Sequence, residues 1–454
     1  MRAPSRWWAG VVFAACVTCA ASCSQSRAST DDTSHDPDLA AEAFVWGYPL
    51  VVSERTMQSV ALLVGTNTLF HQSALADTKT PRLIVSPNQD TLYSVAVVDL
   101  RSEPMVLTVP DVLDRYWVFQ FLDAWTNSFR YIGTRATSGK GGTFVLAPPG
   151  WQGTPPSGAV VITSPTPQLF LLGRYLAKDA SDVASVNALT RTLVPLHTLT
   201  GDAAPPPPPA LGHAPGNASD VGTSGDAAFF DELGDALAID APTSDSDRAA
   251  LARYAKLGVG AGSHPSEAGS SPTLAAGVTK GLAAIESAAN DPASHINGWT
   301  VHLDAGVYPD DPLVRAVIAR LAWGANVRDE AVYPISLSDA SGQPYAGAKP
   351  RVVHFDAGAL PPVDEARGFW SLTLYGPDRF FVENALHRYA IGDRTPGLVT
   401  NADGSLDLFV QSDAPLGHEK NWLPAPPGAY TLMLRLYLPK AAVTDGTYVY
   451  PPVR

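Results

Sequence analysis

Cysteine is almost absent from this sequence of 454 residues. All three cysteines lie at or before Cys23, so the rest of the chain has no internal disulfide, no cysteine nucleophile and no cysteine ligand for a metal. Charged residues make up 17% of the sequence, against about 25% in typical domains. Acids outnumber bases, and the formal net charge of −13 excludes a nucleic-acid partner from our expectations, because two negative surfaces repel.

Sequence motifs of several common enzyme classes are also missing. There is no Gly-x-Ser-x-Gly elbow, no His-Glu-x-x-His, no phosphate-binding loop and no Gly-x-Gly-x-x-Gly. His295 and His302 form only a weak metal pattern, which two loop histidines explain better. Residues 401–407 alternate oxygen-bearing side chains as calcium loops do, but they lack the terminal acid of an EF-hand loop and favour a hairpin turn. We therefore predict no metal and no cofactor.

The N-terminus has the composition of a secretory signal. Arg2 and Arg6 precede an apolar run of residues 7–21 that contains no charge and is too short to span a bilayer comfortably. The run ends in Ala20-Ala21-Ser22-Cys23, which resembles the site at which bacterial lipoproteins are cleaved and lipidated. We expect residues 1–22 to be a signal peptide, Cys23 to be lipidated and residues 23–36 to be a tether. Cleavage by an ordinary signal peptidase is the alternative.

The residue after the cysteine, Ser24, resembles signals that send lipoproteins to the outer membrane. We therefore expect an exported protein at the outer membrane, facing the periplasm or the cell surface and touching the membrane only through its lipid. Removal of residues 1–22 takes away two arginines and no acid, so the net charge falls from −13 to −15.

Short β-branched and aromatic runs between turn residues predict strands in the first half of the chain. The predicted strands are Leu92 to Leu100, Met105 to Val109, Tyr116 to Leu122, Phe144 to Ala147 and Ala159 to Thr163. Their spacing is typical of a β-sandwich. Residues 169–176 and 183–193 instead have helical spacing, and residues 38–63 predict an amphipathic helix that is broken at Pro49.

A proline run divides the chain near its middle. Pro205 to Pro209 and the Gly/Ser/Asp-rich residues that follow predict a spacer or surface loop. Four helical segments come next, and the last begins with Asp311 as N-cap and Pro312 as first helical residue. The predicted parts are a β domain over 37–200, a linker over 201–228, a helical domain over 229–330 and a second β domain over 331–454.

Motifs in both halves of the chain point to one family. Those of the first half are Tyr48 to Leu50, Ser86 to Ser94 and Arg115 to Trp117. Those of the second half are Phe369 to Pro377, Asn384, Arg388-Tyr389, Asn401 to Ser405, Asn421 to Pro424 and Arg435 to Pro439. Together they resemble a bacterial secreted family that pairs domains of unknown function 1254 and 1214. The resemblance implies a mainly β fold with a helical insert: an immunoglobulin-like β-sandwich, a small helical middle domain and a C-terminal jelly roll.

Asn88, Asp90 and Tyr93 open a predicted strand within one of these motifs. Polar side chains at such a position point into a cleft while Leu92 packs inside. We predict catalytic roles for Asp90 and Tyr93 and a ligand-binding role for Asn88. The alternative is a local role, because Asn and Asp side chains also form turns by hydrogen-bonding nearby backbone amides.

Glu330 and Tyr333 lie where the helical segment joins the second β domain. Burial of a carboxylate raises its pKa into the range that suits general acid or base catalysis. An interdomain hydrogen-bond clamp is the alternative role for Glu330. We predict that Glu330, as a catalytic residue, and Tyr333, as a ligand-binding residue, line a cleft with the motif around Asp90.

Trp370, Asn421, Trp422 and Arg435 are the remaining ligand-binding candidates. Aromatic faces stack sugars or aromatic ligands, and a guanidinium holds a carboxylate in a bidentate manner. For each residue the alternative is ordinary packing within a β-sandwich. We therefore expect a protein that binds a small organic or glycan ligand in an interdomain cleft. The alternative is a hydrolase with Asp90 or Glu330 as general base and Tyr93 or Arg435 stabilising negative charge.

Overall fold

The structure is a computed structural model that describes residues 36–201, 218, 220–267, 271–289, 295–308 and 310–454. Cys23 and the predicted signal peptide lie outside the described residues, as does most of the proline-rich spacer. The helices are α1 (Pro37–Val64), α2 (Val183–Thr190), α3 (Ala228–Ile239), α4 (Asp245–Tyr254), α5 (Ser271–Ala289), α6 (Pro312–Ala322) and α7 (Ala441–Thr444). None of these helices is long and apolar enough to cross a bilayer, as far as the described residues extend.

Strands form several sheets, so the fold mixes sheets with helices. Those of the first half are β1 (Phe70–His71), β2 (Thr91–Asp99), β3 (Met105–Val109), β4 (Trp117–Asp123), β5 (Ser128–Gly133), β6 (Gly142–Ala147), β7 (Val160–Thr163), β8 (Gln168–Leu176) and β9 (His197–Thr198). Those of the second half are β10 (His295–Ile296), β11 (Trp299–Thr300), β12 (Ala331–Val332), β13 (Ile335–Ser336), β14 (Arg351–Phe355), β15 (Phe369–Tyr375), β16 (Ala390–Gly392), β17 (Leu406–Gln411), β18 (Trp422–Pro424) and β19 (Thr431–Tyr437).

α1 is one continuous helix, so the predicted break at Pro49 is wrong. The Asp36 side chain caps the helix by accepting hydrogen bonds from the backbone N–H groups of Asp38 and Leu39, at 2.9 and 3.2 Å. Residues 43–54 are buried without exception, so this part of the helix is covered on all sides rather than amphipathic. Tertiary packing of this kind outweighs the hydrogen bond that an internal proline removes.

Two sheets pack against each other in the first half of the chain. One has the strand order β1-β2-β8-β4-β5 and the other the order β7-β6-β3-β9. Leu92 and Phe119 of the first sheet share a core with Leu107 and Phe144 of the second. Because side chains alternate along a strand, the other face of the five-stranded sheet meets different partners. Five predicted strands of this half are confirmed to within two residues.

β8 corrects the helix that periodicity predicts over residues 169–176. It is the middle strand of the five-stranded sheet. Leu169 and Leu171 pack toward the four-stranded sheet, whereas Phe170 and Leu172 pack with α1 and its neighbours. A strand that is buried on both faces has a continuous apolar run, which periodicity does not separate from a buried helix.

The helices of the middle region pack around α1, which contacts α3, α4, α5 and α6. Phe44 of α1 shares one core with Phe230 of α3 and Val278 of α5. The predicted start of α6 is confirmed, because the Asp311 side chain accepts a hydrogen bond from the backbone N–H of Leu313 at 2.9 Å. The core of these helices also includes Leu172, so the helical layer covers one face of the five-stranded sheet.

Gly277 allows α5 to lie directly against α1. A Cβ at this position would be 2.4 Å from Ala40 Cβ and 2.7 Å from the carbonyl carbon of Ala40. Neither atom belongs to a flexible side chain, so the helices themselves would have to separate. We expect Gly277→Ala to lower the free energy of unfolding by about 2 kcal/mol, measured by urea unfolding.

Gly47→Ala is the matched control for that substitution. Gly47 lies in α1 and its added Cβ would be 2.5 Å from Leu233 Cδ2, at the end of a flexible side chain. The clash involves the side chain of Leu233 and no backbone atom, so the loss should be clearly smaller. Equal losses from the two glycines would contradict the role of close backbone approach at Gly277.

Two further sheets form the second half of the chain. One has the order β10-β11-β13-β19-β15-β16, with β12 also paired to β19, and the other has the order β14-β17-β18. Leu372 and Leu434 of the larger sheet share a core with Val353 and Leu408 of the smaller one. The opposite face of β15 and β19 therefore points away from this core and toward the first half.

Candidate functional site

Tyr93 and Arg174 lie side by side on the face of the five-stranded sheet that meets the second half. The antiparallel register of β2 and β8 pairs the two residues directly. The guanidinium carbon of Arg174 is 5.9 Å from the centre of the Tyr93 ring. Arg174 is only 6% exposed, so its charge is held almost entirely out of water.

Arg435 of β19 approaches the same place from the second half. It is 4% exposed, and its Nη2 donates hydrogen bonds to the Ser86 carbonyl at 2.6 Å and to the Tyr375 hydroxyl at 2.5 Å. Its neighbours along the strand, Leu434 and Leu436, point to the opposite face and into the core. Because side chains alternate between the two faces of a strand, Arg435 points toward the first half.

Both arginines hydrogen-bond to neutral groups. Arg174 donates from Nη1 to Gln120 Oε1 at 2.7 Å and from Nη2 to the Gly324 carbonyl at 2.9 Å. Nε of Arg435 is buried and has no hydrogen-bond partner among the described residues. Burial of a guanidinium without an ion-pair partner is costly, because hydration is lost. For Arg174 the charge of Glu330, which is not within ion-pair distance, opposes this cost only in part.

Tyr333 and Asn326 connect the two arginines. Asn326 Nδ2 donates to the Tyr333 hydroxyl at 2.5 Å, and Asn326 Oδ1 accepts from Arg174 Nη1 at 3.3 Å. The guanidinium carbon of Arg435 is 5.5 Å from the centre of the Tyr333 ring. The segment that follows α6 therefore bridges the two halves at this point.

A cavity of about 30 Å³ lies among these side chains, and we call it the polar pocket. Its lining includes Ile84, Tyr93, Arg174, Trp323, Tyr333 and Arg435. A cavity of about 10–15 Å³ on this measure holds one water, so the polar pocket has room for about two.

A larger cavity lies beside the polar pocket, and we call it the apolar groove. Its volume is about 310 Å³, and it is lined by the end of α1, by β1 and β2 and by residues 72–87, which we call the site loop. Ile84 and Tyr93 line both cavities. At the groove, Leu63 and Phe70 are 58% and 41% exposed. The volume falls at the lower end of the range for small-molecule sites, about 300–1,000 Å³.

The site loop is held by polar contacts with the second half. Thr78 Oγ1 donates to Glu383 Oε2 at 2.5 Å, and Arg82 pairs with Asp378 at 2.6 Å. The Tyr375 hydroxyl donates to the Pro87 carbonyl at 2.5 Å. One wall of the apolar groove is therefore positioned by residues that are distant in sequence.

Asn88 forms the turn that the sequence offered as its local role, and it also contacts Tyr93. Its Oδ1 accepts from the backbone N–H groups of Asp90 and Thr91 at 2.9 and 2.8 Å, which forms the turn. Its Nδ2 and backbone N–H both donate to the Tyr93 hydroxyl, at 2.6 and 3.0 Å. The turn that starts β2 therefore also orients Tyr93 at the wall of both cavities.

Asp90 connects the two halves by polar contacts with the second half. Its carboxylate accepts from Ser371 Oγ at 2.7 Å and forms an ion pair with Arg394 at 2.7 Å. Asp90 is 6% exposed and lines neither the polar pocket nor the apolar groove. Asp90 therefore links the two halves of the chain.

Glu330 has a similar position at another point of the same interface. It is fully buried, and it accepts from Arg135 Nε at 2.7 Å and from the Tyr116 hydroxyl at 3.0 Å. Burial raises the pKa of Glu330, and the charge of Arg135 opposes that rise.

Of the predicted cleft residues, Tyr93 and Tyr333 line the polar pocket, whereas Asn88, Asp90 and Glu330 do not.

Two protein families match this chain, one in each half. "Protein of unknown function (DUF1254)" matches residues 66–195, which contain Tyr93 and Arg174. "Protein of unknown function (DUF1214)" matches residues 330–441, which contain Tyr333 and Arg435. The chain belongs to the family that pairs these two domains. In this member of the DUF1254 and DUF1214 family, the two matched regions contribute opposite walls of the polar pocket.

Solved structures add one informative relative. The VPA0106 protein of Vibrio parahaemolyticus is similar with a TM-score of 0.67 and 23% identity, over 92% of this chain and 99% of that one. An uncharacterized protein of Burkholderia cenocepacia is similar with a TM-score of 0.47 and 17% identity, over 91% of this chain and 88% of that one. The Vibrio protein shows that the fold is shared over nearly the whole chain. A search of curated proteins finds no match.

Three of the predicted ligand-binding residues lie elsewhere in this DUF1214 region. Trp370 belongs to the core between the sheets of the second half. Asn421 Nδ2 donates to the carbonyls of Val399 and Asp407 at 2.7 and 2.9 Å. Trp422 Nε1 donates to the carbonyl of Gln411 at 2.8 Å. None of the three lines the polar pocket or the apolar groove.

Arg174 and Ile84 are residues of this site that the sequence did not identify. Arg174 lies in the segment for which periodicity predicts a helix, and Ile84 lies in a loop without a recognisable motif. A lone arginine inside an apolar run was the available signal, since a charge is rarely buried without a purpose or a partner. Across the described ranges, no group of three or more His, Cys, Asp or Glu side chains is arranged to hold a metal.

Proposed function

We propose that this protein binds a small organic ligand with an apolar body, which lies in the apolar groove. The groove itself is the observation that carries this proposal. It encloses about 310 Å³, and Leu63 and Phe70 leave apolar surface exposed beside it. Covering apolar surface contributes about 25 cal/mol for each Å² removed from water, so an apolar molecule gains free energy by filling the groove.

An organic molecule suits the groove better than a glycan. The lining is rich in aliphatic side chains, among them Val60, Leu63, Val64, Leu75, Leu83, Ile84 and Val95. Sugar hydroxyls lose hydrogen bonds to water when they lie against the aliphatic part of this lining, and mainly the polar side chains of residues 72–80 offer replacements. The groove therefore supports the organic alternative of the two ligand classes that the sequence predicts.

A hydrolase role has less support. Asp90 is paired with Arg394, and Glu330 with Arg135, at 2.7 Å in both cases. Each predicted general base is thus already engaged across the interface between the halves, away from the two cavities. Binding without turnover is the function that the arrangement favours.

We also infer that the first half is an immunoglobulin-like β-sandwich and the second a jelly roll. The face-to-face packing of two sheets around one core in each half supports this reading. The parallel pairs β6 with β7 and β17 with β18 are departures from purely antiparallel sheets.

Export and lipidation at Cys23 stay part of the proposal. Their support is the composition of residues 1–22 and the small residues before the cysteine. The anchored protein would then meet its ligand outside the cytoplasm.

The proposed function predicts saturable binding of 1-octanol, a probe with an alkyl chain and a neutral head. Each methylene removed from the chain should weaken binding about fourfold, because a buried methylene contributes about 0.8 kcal/mol. Isothermal titration calorimetry with hexanol, heptanol and octanol would measure this. The absence of saturable binding, or affinities that do not depend on chain length, would contradict the proposal.

Leu63→Ser provides the matching change in the protein. Leu63 lines the groove and is 58% exposed, so a serine there should preserve the fold while removing apolar contact. We expect about fivefold weaker octanol binding. Leu62→Ser is the control, because Leu62 is the adjacent residue, is 68% exposed and does not line the groove. Equal effects of the two substitutions would place the ligand elsewhere.

A further inference from the structure

We infer that the ligand carries a carboxylate, which Arg174 and Arg435 bind in the polar pocket, an inference that rests on the proposed function. The apolar body of the same molecule would occupy the apolar groove. The ligand class is therefore a small organic monoacid with an apolar chain or ring, rather than a neutral lipid or an amine.

The first support is that neither buried arginine of the polar pocket has an ion-pair partner. Arg174 and Arg435 are 6% and 4% exposed, and their hydrogen bonds go to carbonyl, amide and hydroxyl oxygens. Arg115 provides a comparison, because it is a buried arginine that has an ion-pair partner. It is 5% exposed and pairs with Asp182 at 2.8 Å. Neither arginine of the polar pocket forms such an ion pair within the described chain, although the charge of Glu330 acts on Arg174 at longer range.

The second support is an excess of hydrogen-bond donors. The Tyr93 hydroxyl accepts from Asn88 twice, and the Tyr333 hydroxyl accepts from Asn326. No described residue accepts the proton of either hydroxyl. Arg435 adds a buried Nε without a partner. A carboxylate has two oxygens and accepts about four hydrogen bonds, so it complements this set, whereas an ammonium group would add further donors.

The third support is the size and position of the polar pocket. Its volume of about 30 Å³ suits a planar carboxylate, which occupies about the space of two waters. Ile84 and Tyr93 border both cavities, so the cavities adjoin, and a ligand that occupied both would place its head in the polar pocket and its body in the apolar groove. Nε of Arg435 has no hydrogen-bond partner among the described residues, so it is free to donate a charge-assisted hydrogen bond to this head.

Octanoate, 1-octanol and octylammonium test the inference on the unaltered protein at pH 7.5. They share an eight-carbon chain and differ in the charge of the head. We expect octanoate to bind at least about tenfold more tightly than octanol, because hydrogen bonds between charged groups are the strong ones. Octylammonium should bind most weakly. Isothermal titration calorimetry would measure all three.

Arg435→Lys is the matching variant, since it keeps the charge and removes the planar fork. We expect octanoate binding to weaken about tenfold while octanol binding changes little. Arg115→Lys is the control, because it alters a buried arginine outside both cavities and should change neither affinity. Circular dichroism and the melting temperature would show that both variants are folded.

The outcomes separate this inference from the proposed function. If octanoate and octanol bind equally and Leu63→Ser weakens both, the inference of a carboxylate head is contradicted, whereas binding in the apolar groove is supported. If octanoate binds through Arg435 but Leu63→Ser has no effect, the groove is overturned instead. If none of the three probes binds saturably, both are overturned. The comparison of the three probes tests the charge of the head even if Arg435→Lys does not fold, and equal affinities would still overturn the carboxylate.

Discussion

Glu330→Ala is expected to lower the free energy of unfolding by about 3 kcal/mol. Glu330 is fully buried and receives hydrogen bonds from Arg135 Nε at 2.7 Å and from the Tyr116 hydroxyl at 3.0 Å. Alanine removes both acceptors at once. Tyr116 is itself fully buried, so its hydroxyl would be left without a partner, and an unsatisfied buried hydroxyl is costly.

The exposure of Arg135 sets the upper limit of the effect. The Arg135 side chain is 34% exposed, so water partly replaces the lost carboxylate. A smaller loss is expected for Glu330→Gln, which keeps the shape and one hydrogen-bond acceptor but removes the charge. Urea unfolding at neutral pH, with the same slope for each variant, would give the differences.

Glu365→Ala is the control for the Glu330 substitutions. Glu365 pairs with Lys440 at 2.7 Å, as closely as Glu330 pairs with Arg135, but its side chain is 89% exposed. Water screens a pair of this kind, so little change is expected. If Glu330→Ala were no more damaging than Glu365→Ala, the interface would not depend on Glu330, and the catalytic role that the sequence predicts for it would regain weight.

Stability is also expected to fall as the pH rises from 5.5 to 8, and Glu54→Gln should remove much of this fall. Glu54 of α1 and Asp240 at the end of α3 are 3% and 0% exposed and hydrogen-bond to each other. Burial raises the pKa of Glu54 to about 7. Burial, and then the charge of Glu54, raise the pKa of Asp240 well above its usual range.

The sign follows from proton binding. Raised pKa values mean that the folded state holds more protons than the unfolded state above about pH 4, so stability decreases as the pH rises through 7. The stabilisation is complete below the unfolded pKa and is lost through the folded pKa. For Glu54, a rise from 4.5 to about 7 corresponds to about 3 kcal/mol.

Urea unfolding at several pH values would measure this loss in the wild type and in Glu54→Gln. The difference between the two proteins cancels the contributions of histidines and surface acids, because both chains share them. Glutamine stays neutral, so the profile of the variant should be flatter between pH 5.5 and 8. Parallel profiles would show that Glu54 does not hold its proton in this range.

Local signals in the sequence predicted much of the secondary structure correctly. The strand at residues 105–109 and the start of α6 at Asp311 and Pro312 depend on turn residues, capping and β-branched side chains, all of which act between neighbours in the chain. The errors occurred where packing overrides those preferences. α1 continues through Pro49 because it is covered on all sides, and β8 resembles a helix because both of its faces are buried.

The candidate site was predictable only in part for a related reason. Tyr93 and Arg435 were identified as members of motifs and Tyr333 by its place at the start of the second β domain, and the structure brings the three together around the polar pocket. Arg174 was not, because its segment was predicted to be a helix. Trp370 and Trp422 have the side chains of a ligand site, but the alternation of strand faces directs Trp370 into a core.

The sequence by itself determined that no thiol chemistry follows Cys23, that the surface is acidic and that two families meet in one chain. Composition and short motifs are sufficient for such properties, because they do not depend on distant contacts. Only the tertiary structure decided which charges are buried and what they face. Arg174 and Arg435 belong to different halves of the chain, and their shared pocket exists because two sheets and the segment after α6 pack there, an outcome of long-range burial that no local pattern records.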